Sequence, residues 1–244
     1  MVALDAASRG LKCAVIDKYD FASGTSSRST KLAHGGIRYF EQMAKLQGDP
    51  VQTWELLKEA LHERDYFVKT APYLNKEVKL LIPHESLLQS AFWYFPATVG
   101  YHLLYAVQAI RSENPAQLSG PRFLLRNAVR STLPAVKNLH GMYGVVMHEA
   151  QMIDGRMALN SLFTASVDGF CKGMRGACLV NHMEFKEFVK KDGKIVGAKL
   201  FDRIKAKEHV VHAKRVVNCA GVHADELRLQ DNPEAEKRIA GSRG

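Results

Sequence analysis

The chain opens with a helix, a glycine and a buried strand in that order. The residues "VALDAASRG" predict a helix that ends at Gly10. The residues "KCAVIDK" predict a short buried strand that finishes at Asp17. A helix that runs into such a strand is half of a βαβ unit, which requires a parallel strand before the helix. We therefore expect an α/β fold whose first strand and glycine-rich turn precede Met1.

Charge and cysteine content narrow the classes of function. The net charge of +9 favours anionic partners, although a solvated basic surface accounts for the charge by itself. The basic residues are scattered, so no nucleic-acid partner is predicted. The four cysteines contain no CxxC pair, and we expect neither a metal site nor a disulfide framework.

Further elements follow from periodicity and turn residues. An apolar stripe predicts an amphipathic helix over residues 51–70, and the Asp-Gly pair at 192–193 predicts a hairpin turn. Asp154 is predicted to cap a helix that ends near Gly173. The residues "AKRVVNCAG" predict a buried strand that leads into a short helix.

Residues 86–110 contain no Asp, Glu, Lys or Arg. The stretch is nearly as long as a membrane span, but Pro96, Gly100 and His102 argue against one. Its tryptophan and tyrosines are residue types that favour the lipid interface. Two interpretations remain open, namely a buried helical hairpin and an interfacial, monotopic membrane segment.

Three stretches suggest a dinucleotide site. The stretch "FASGTSSRSTKLAHGGIRYF" combines hydroxyls and glycines, which suit a loop that closes on a pyrophosphate and a flat ring. Asp17 ends a predicted parallel strand, where a carboxylate can accept ribose hydroxyls. In "VVNCAGVHAD" a strand gives way to a helix N-terminus, which favours a diphosphate. A surface acid, a solvated loop and a plain turn are the structural alternatives.

Together these segments resemble a known family, FAD-dependent glycerol-3-phosphate dehydrogenase, which is membrane-bound and quinone-linked. The resemblance rests on "LDAASRGLKCAVIDKYDFASGTSSRSTKLAHGGIRY", "LLKEALHERDYFVKTAPYL", "DGRMALN" and "RVVNCAGVHAD", and it extends over essentially all 244 residues. The GTSSRSTKL block is the most specific part, and it is similar to the mitochondrial branch.

The resemblance implies a Rossmann-like FAD-binding domain, incomplete here, with an inserted α+β substrate or cap domain. Residues 1–74 and 149–244 would form the two parts of the FAD-binding domain. Residues 75–148 would form the cap region, which includes the apolar segment 86–110.

The resemblance also implies an activity and partners. The family oxidises sn-glycerol 3-phosphate to dihydroxyacetone phosphate, passing a hydride to FAD and electrons on to ubiquinone. The implied location is the surface of the mitochondrial inner membrane, or alternatively a bacterial cytoplasmic membrane. A homodimer remains open.

The family's site residues carry over onto matching positions. Asp17 would hold the adenosine ribose, and Phe185 would lie near the adenine. Ala220 and Gly221 would close on the diphosphate. The residues that would line the flavin and its diphosphate are Ser26, Ser27, Lys31, Leu32, His34, Gly35 and Gly36.

Arg38, Tyr39 and His34 are the predicted substrate residues. The guanidinium of Arg38 suits a bidentate contact with a phosphate dianion, and Tyr39 would assist it. His34 is a candidate acceptor for the proton of the substrate hydroxyl. A structural salt bridge for Arg38, and a packing or hydrogen-bonding role beside the flavin for His34, are the alternatives.

The sequence departs from the family in several places. The family's GxGxxG strand and its C-terminal half are absent from these residues, so we expect this chain alone to bind FAD weakly or not at all. Cys219 and Val222 stand near positions where the family has threonine and proline. Two other functions remain open, a related FAD-dependent amino- or hydroxy-acid oxidoreductase and a non-catalytic membrane-associated remnant.

Overall fold

The computed structural model describes residues 1–36, 49–111, 118–133 and 142–239. The chain divides into two compact units. The first unit comprises Met1–Thr25 and Ala158–Gly244, and the second comprises Ser26–Met157. This division does not test the domain boundaries predicted above, which stay a prediction.

The helices and strands are numbered in chain order. The helices are α1 (Val2–Ser8), α2 (Pro50–Thr70), α3 (Leu87–Gln89), α4 (Phe95–Arg111), α5 (Arg126–Thr132), α6 (Asp154–Ser166) and α7 (Ala224–Asp231). The strands are β1 (Ala14–Ile16), β2 (Leu32–Ala33), β3 (Asn75–His84), β4 (Arg122–Leu124), β5 (Tyr143–Met152), β6 (Cys178–Val180), β7 (Met183–Lys191), β8 (Lys194–Asp202) and β9 (Lys207–His212).

The first unit contains the predicted helix and parallel strand. Helix α1 ends just before Gly10, whose φ of +73° is a conformation that favours glycine. Strand β1 pairs in parallel with β6, and Ala7 of α1 packs in a small core with Ala165, Met174 and Ala177. The prediction of an α/β fold with a parallel strand after the first helix is therefore confirmed.

The predicted hairpin is also present in the first unit. Strands β7, β8 and β9 form an antiparallel sheet in that order. The turn between β7 and β8 consists of Asp192 and Gly193, with φ values of +50° and +74°. Both positive values are typical of the tight turn that Asp-Gly favours, because the twist of this turn matches that of the two strands.

Two predictions for the first unit were wrong. The segment 214–220, predicted as a buried strand, forms none, and its Val217 is 64% exposed. A strand requires a hydrogen-bonded neighbour, and none of the strands among the described residues pairs with this segment. The helix from Asp154 ends at Ser166 rather than near Gly173. It gives way to a turn in which the Asp168 carboxylate accepts the Gly176 amide at 3.1 Å.

The second unit is built on an antiparallel sheet with β5 at its centre. Strand β5 pairs with β3 along its whole length and with β2 and β4 on its other side. Helices α2 and α4 supply most of the core beside this sheet. Its buried members are Leu57, Leu61, Tyr101, Tyr105, Leu118 and Met147.

The structure confirms the amphipathic helix predicted over residues 51–70. Helix α2 begins at Pro50, and the carboxylate of Asp49 accepts the amides of Val51 and Gln52. Proline suits the first position of a helix because its missing N–H would have no intrahelical partner there. The predicted apolar face is the one that enters the core, through Leu57 and Leu61.

Residues 87–111 form one continuous helical run, so the helical hairpin, one of the two interpretations left open for this segment, is wrong. A π-helical turn, Ser90–Tyr94, joins α3 to α4 just before Pro96. Proline lacks the amide that an α-helix needs at this position, and a wider turn allows the run to continue past it. Among the residues described, no helix is both long and apolar enough to cross a bilayer.

Adjacent leucines of α2 provide a test of the core. Leu57 is fully buried, whereas Leu56 is 47% exposed. We expect Leu57→Ala to lower the free energy of unfolding by about 2–5 kcal/mol, because it leaves a cavity beside the sheet. Leu56→Ala, the matched control, should change it by about 0.5 kcal/mol. Denaturant unfolding measures both values, and equal effects would contradict the assigned core.

Candidate functional site

The predicted site residues are distributed over both units. Asp17, Phe185, Ala220 and Gly221 belong to the first unit. The predicted flavin residues between 26 and 36 belong to the second unit. Arg38 and Tyr39 lie outside the described residues.

In the second unit, Asp154 organises the loop before β2. Its Oδ2 accepts hydrogen bonds from the Ser29 amide at 3.1 Å and the Ser29 hydroxyl at 2.7 Å. The ammonium of Lys31 lies 3.4 Å from the same oxygen, and Oδ1 accepts the Gly155 amide at 2.8 Å. One carboxylate at the start of α6 therefore holds the backbone and side chains of the loop.

These contacts change the acidity of Asp154. The hydrogen bond from Ser29 is the largest cause, and with the two amides and Lys31 it lowers the pKa of Asp154 to about 2. The carboxylate is therefore ionised at any physiological pH. Lys31 has a φ of +60°, and its ammonium also donates to the Ser27 carbonyl at 3.3 Å. The predicted diphosphate contact of Lys31 stays a prediction.

The other predicted residues of this unit lie in one short segment of the chain. Ser26 and Ser27 end a 3₁₀ turn, and Leu32 lies in β2, which pairs with residues 150 and 151 of β5. After β2, His34 is exposed, whereas Gly35 and Gly36 are buried.

Gly35 is required by packing against the protein itself. A Cβ atom at this position would lie 2.5 Å from the Tyr101 hydroxyl, 2.6 Å from a methyl of Leu61 and 2.8 Å from Arg64 Nη1. The Gly35 amide donates to Glu149 Oε2 at 3.2 Å. The backbone at Gly35 therefore packs closely on side chains of α2, α4 and β5. The flavin contact predicted for Gly35 stays a prediction.

Glu149 and Arg64 form a buried ion pair that sequence reasoning missed. Glu149 is 0% exposed and Arg64 2% exposed, and Arg64 Nη1 lies 2.5 Å from Glu149 Oε2. The Tyr101 hydroxyl donates to Glu149 Oε1 at 2.8 Å. Two signals were present in the sequence. Arg64 continues the Leu57 and Leu61 face of α2, and Glu149 interrupts an apolar strand.

The surroundings keep Arg64 and Tyr101 in their protonated forms. Burial alone would lower the pKa of Arg64, but the neighbouring Tyr101 and Glu149 raise that pKa above its ordinary value. Burial raises the pKa of Tyr101 far above its ordinary value. The guanidinium is therefore charged and the phenol protonated, so that both are donors to Glu149.

In the first unit, Asp17 and Gly221 have features that suit a ligand. Asp17 follows β1, and its Oδ1 accepts the Tyr19 amide at 3.0 Å. Its other oxygen has no partner among the described residues. Gly221 has a φ of +56°, and, apart from its chain neighbours, no atom of the described residues lies within 4 Å of the position that a Cβ would take. It begins a 3₁₀ turn that leads into α7, directly after Ala220. Phe185 is half-buried on β7, with its ring centroid 4.7 Å from that of Phe188.

Comparison with known proteins identifies the family. The profile of the DAO family, FAD dependent oxidoreductase, matches residues 1–244. The chain belongs to this family of FAD-dependent oxidoreductases. The prediction of FAD as the cofactor is confirmed at the level of the family.

The names of individual relatives are more specific than the name of the family. The chain is 34% identical over 253 residues to the probable mitochondrial glycerol-3-phosphate dehydrogenase of Dictyostelium discoideum, covering 100% of this chain and 36% of that protein. It is 31% identical over 239 residues to the mitochondrial glycerol-3-phosphate dehydrogenase of Homo sapiens, covering 96% of this chain and 30% of that protein. The chain thus spans about a third of the length of these relatives, and the resemblance stated above is confirmed.

Solved structures share the fold. The glycerol-3-phosphate dehydrogenase from Bacillus halodurans complexed with FAD matches with a TM-score of 0.63 at 24% identity, covering 95% of this chain and 34% of that one. A glycine oxidase from Bacillus cereus matches with a TM-score of 0.52 at 16% identity, covering 93% and 53%. Because the fold is shared with a glycine oxidase, the fold alone does not decide the substrate.

Two observations on the first unit fit FAD. The unpartnered oxygen of Asp17 suits a ribose hydroxyl, which donates a hydrogen bond to a carboxylate. The open turn at Gly221 leaves its backbone accessible, as close contact with a diphosphate requires.

Asp154 leads to a prediction about the loop before β2. We expect Asp154→Ala to speed amide exchange at Ser29 and Lys31. The Ser29 amide loses its bond to the carboxylate, and the Ser29 hydroxyl, which accepts the Lys31 amide at 3.0 Å, loses the bond that fixes it. In the unaltered protein this protection should persist to about pH 4 and be lost as the pH falls toward about 2, since the folded-state pKa lies below the ordinary 3.8.

Hydrogen exchange with mass spectrometry, corrected for intrinsic rates, makes both measurements. Asp5→Ala is the matched control, because Asp5 is also an acid in the first turn of a helix but is exposed and bonds only its own helix. Equal exchange of the loop in the two variants would contradict the assigned role of Asp154.

Proposed function

We propose that the protein containing this chain is an FAD-dependent glycerol-3-phosphate dehydrogenase that passes electrons to a quinone. The observation that carries the proposal is the match over essentially the whole chain, at 31–34% identity, to relatives named glycerol-3-phosphate dehydrogenase. The reaction removes a hydride from the carbinol carbon of sn-glycerol 3-phosphate and a proton from its hydroxyl, which yields dihydroxyacetone phosphate.

FAD, when bound, supplies the acceptor for that hydride. We propose that Asp17 binds the ribose, that Phe185 lies near the adenine, and that Ala220 and Gly221 contact the diphosphate. The flavin and its diphosphate would be held by the residues carried over from the family, which are Ser26, Ser27, Lys31, Leu32, His34, Gly35 and Gly36. The hydroxyls and amides among them donate hydrogen bonds, and the glycines permit close approach.

The substrate residues directly follow the held glycines. Arg38 comes two residues after Gly36, and its guanidinium would bind the substrate phosphate with help from Tyr39. His34 is exposed, and an imidazole can take up the hydroxyl proton near neutral pH. We propose His34 and Arg38 as the catalytic residues.

The substrate assignment is tested on the intact protein. We expect anaerobic sn-glycerol 3-phosphate to bleach the flavin absorbance, and glycerol at the same concentration not to do so. Arg38→Met should lower kcat/KM by about 10–150-fold, because it removes charge-assisted hydrogen bonds worth about 1.5–3 kcal/mol.

The control is Arg9→Met, which removes an exposed arginine whose one ionic partner in the described part of the chain is Asp5. It should leave kcat/KM unchanged. Equal turnover of glycerol, or an amino acid as the better substrate, would favour the related oxidoreductase. A purified protein without FAD would favour the non-catalytic remnant.

We also propose that the 87–111 run associates with a membrane surface, that of the mitochondrial inner membrane. The names of the relatives support the mitochondrion. Its buried side carries Ser90, Thr98, Tyr101 and Tyr105. The opposite side is an exposed apolar stripe at helical spacing, consisting of Leu88, Phe92, Leu103, Val107 and Ile110. With no charged residue between 86 and 110 and a net charge of +9, this stripe suits the interface of an anionic bilayer. A homodimer stays a prediction.

Vesicle binding tests this proposal. Trp93, next to Phe92, is also exposed. We expect the triple variant Leu88→Ser, Phe92→Ser, Trp93→Ser to reduce sedimentation with phosphatidylserine-containing vesicles by at least about tenfold, since each large apolar side chain contributes about 1.5–3 kcal/mol when buried. Phe95 is omitted because it packs edge-to-face on Phe123.

The control replaces three exposed apolar residues of the other unit, Phe163, Phe170 and Ile204, by serine. Unchanged sedimentation of the first variant, or an equal loss in both, would show that the stripe does not bind the membrane.

A further inference from the structure

The buried carboxylate of Glu149 accepts the amide of Gly35, one of the predicted flavin residues. We propose that Glu149 is a positioning residue, which fixes the His34–Gly35–Gly36 segment through the Gly35 amide and thereby sets the location of His34. The inference rests on the proposed function, because it assigns His34 a place in the reaction.

Strand pairing alone leaves this segment unsupported. Strand β2 pairs with β5 only through Leu32 and Ala33, opposite Gln151 and Ala150. Glu149 is the next residue of β5, and its side chain accepts the Gly35 amide at 3.2 Å. The carboxylate therefore continues the attachment of the chain to β5 two residues past the end of the strand.

The carboxylate is itself held rigidly. Arg64 of α2 and Tyr101 of α4 donate to its two oxygens, and they also contact each other at 3.1 Å. Both donors lie within 3 Å of the position that a Cβ of residue 35 would take. Residue 35 is thus held from three sides, by a helix, a second helix and a strand.

The ion pair is not explained by stability alone. Replacing a buried ion pair with apolar side chains of similar volume is often neutral or stabilising, because both charges lose their hydration. The cluster supplies something that an apolar core cannot, a buried acceptor aimed at a backbone amide. His34, next to that amide, has its side chain exposed, while the residues that follow lead to Arg38.

Two tyrosines of α4 provide a matched pair for the test. Tyr101 and Tyr105 are both buried, and each donates to a carboxylate at 2.8 Å. The partner of Tyr101 is Glu149, whereas the partner of Tyr105 is Asp65, which pairs with Lys69. Each Tyr→Phe change removes a buried bond to a carboxylate. Only Tyr101→Phe removes a bond to the carboxylate that accepts the Gly35 amide, together with the contact between Tyr101 and Arg64.

The experiment compares the intact protein with Glu149→Gln, Tyr101→Phe and Tyr105→Phe. Glu149→Gln should raise amide exchange over residues 34–36, shift the visible circular dichroism of the flavin and lower kcat by about 10–100-fold, as misplacement of a reacting group does. KM should change little. Tyr101→Phe should move all three readouts in the same direction, and Tyr105→Phe should move none of them.

The inference is overturned if Tyr101→Phe and Tyr105→Phe lower the melting temperature alike and neither changes exchange, flavin dichroism or kcat. Should Glu149→Gln fail to fold, the two tyrosine variants decide the question. Absence of FAD or of glycerol-3-phosphate oxidation in the unaltered protein would instead contradict the proposed function. In that case the exchange of residues 34–36, which needs no activity, still tests the role of Glu149.

Discussion

The buried ion pair between Glu149 and Arg64 connects several elements of the second unit. It links the central strand to α2, extends through Tyr101 to α4, and continues to the backbone at Gly35. Loss of one member would leave a charge buried without a partner, which typically costs about 3–5 kcal/mol. The position of the glycine segment therefore depends on the same atoms as the packing of two helices on the sheet.

Asp154 has a comparable role on the other side of β2. It binds Ser29 and Lys31 before the strand, whereas Glu149 binds Gly35 after it. A two-residue strand has little stability of its own, and here its two flanks are each held by a carboxylate from β5 or from the helix that follows β5. The predicted flavin loop is thus ordered by acids that need not touch the cofactor.

The 87–111 helical run has one side that is buried in the core and one side that is exposed. Its buried side contributes Tyr101 and Tyr105 to the polar clusters, and its exposed side is apolar. Core packing therefore explains the lack of charge on the buried side only. The membrane proposal explains why the exposed side is apolar as well.

The sequence by itself determined the features that depend on neighbours in the chain. Helix α1 with Gly10, the Asp192–Gly193 turn and the apolar face of α2 follow from backbone preference and periodicity, which act over a few residues. The motif of hydroxyls and glycines likewise indicated the FAD-dependent family. Only the tertiary structure decided that residues 214–220 form no strand, because strand formation requires a partner from elsewhere in the chain. It also decided that Glu149, Arg64 and Gly35 meet, since a buried charge selects its partner by distance in space rather than by separation in sequence.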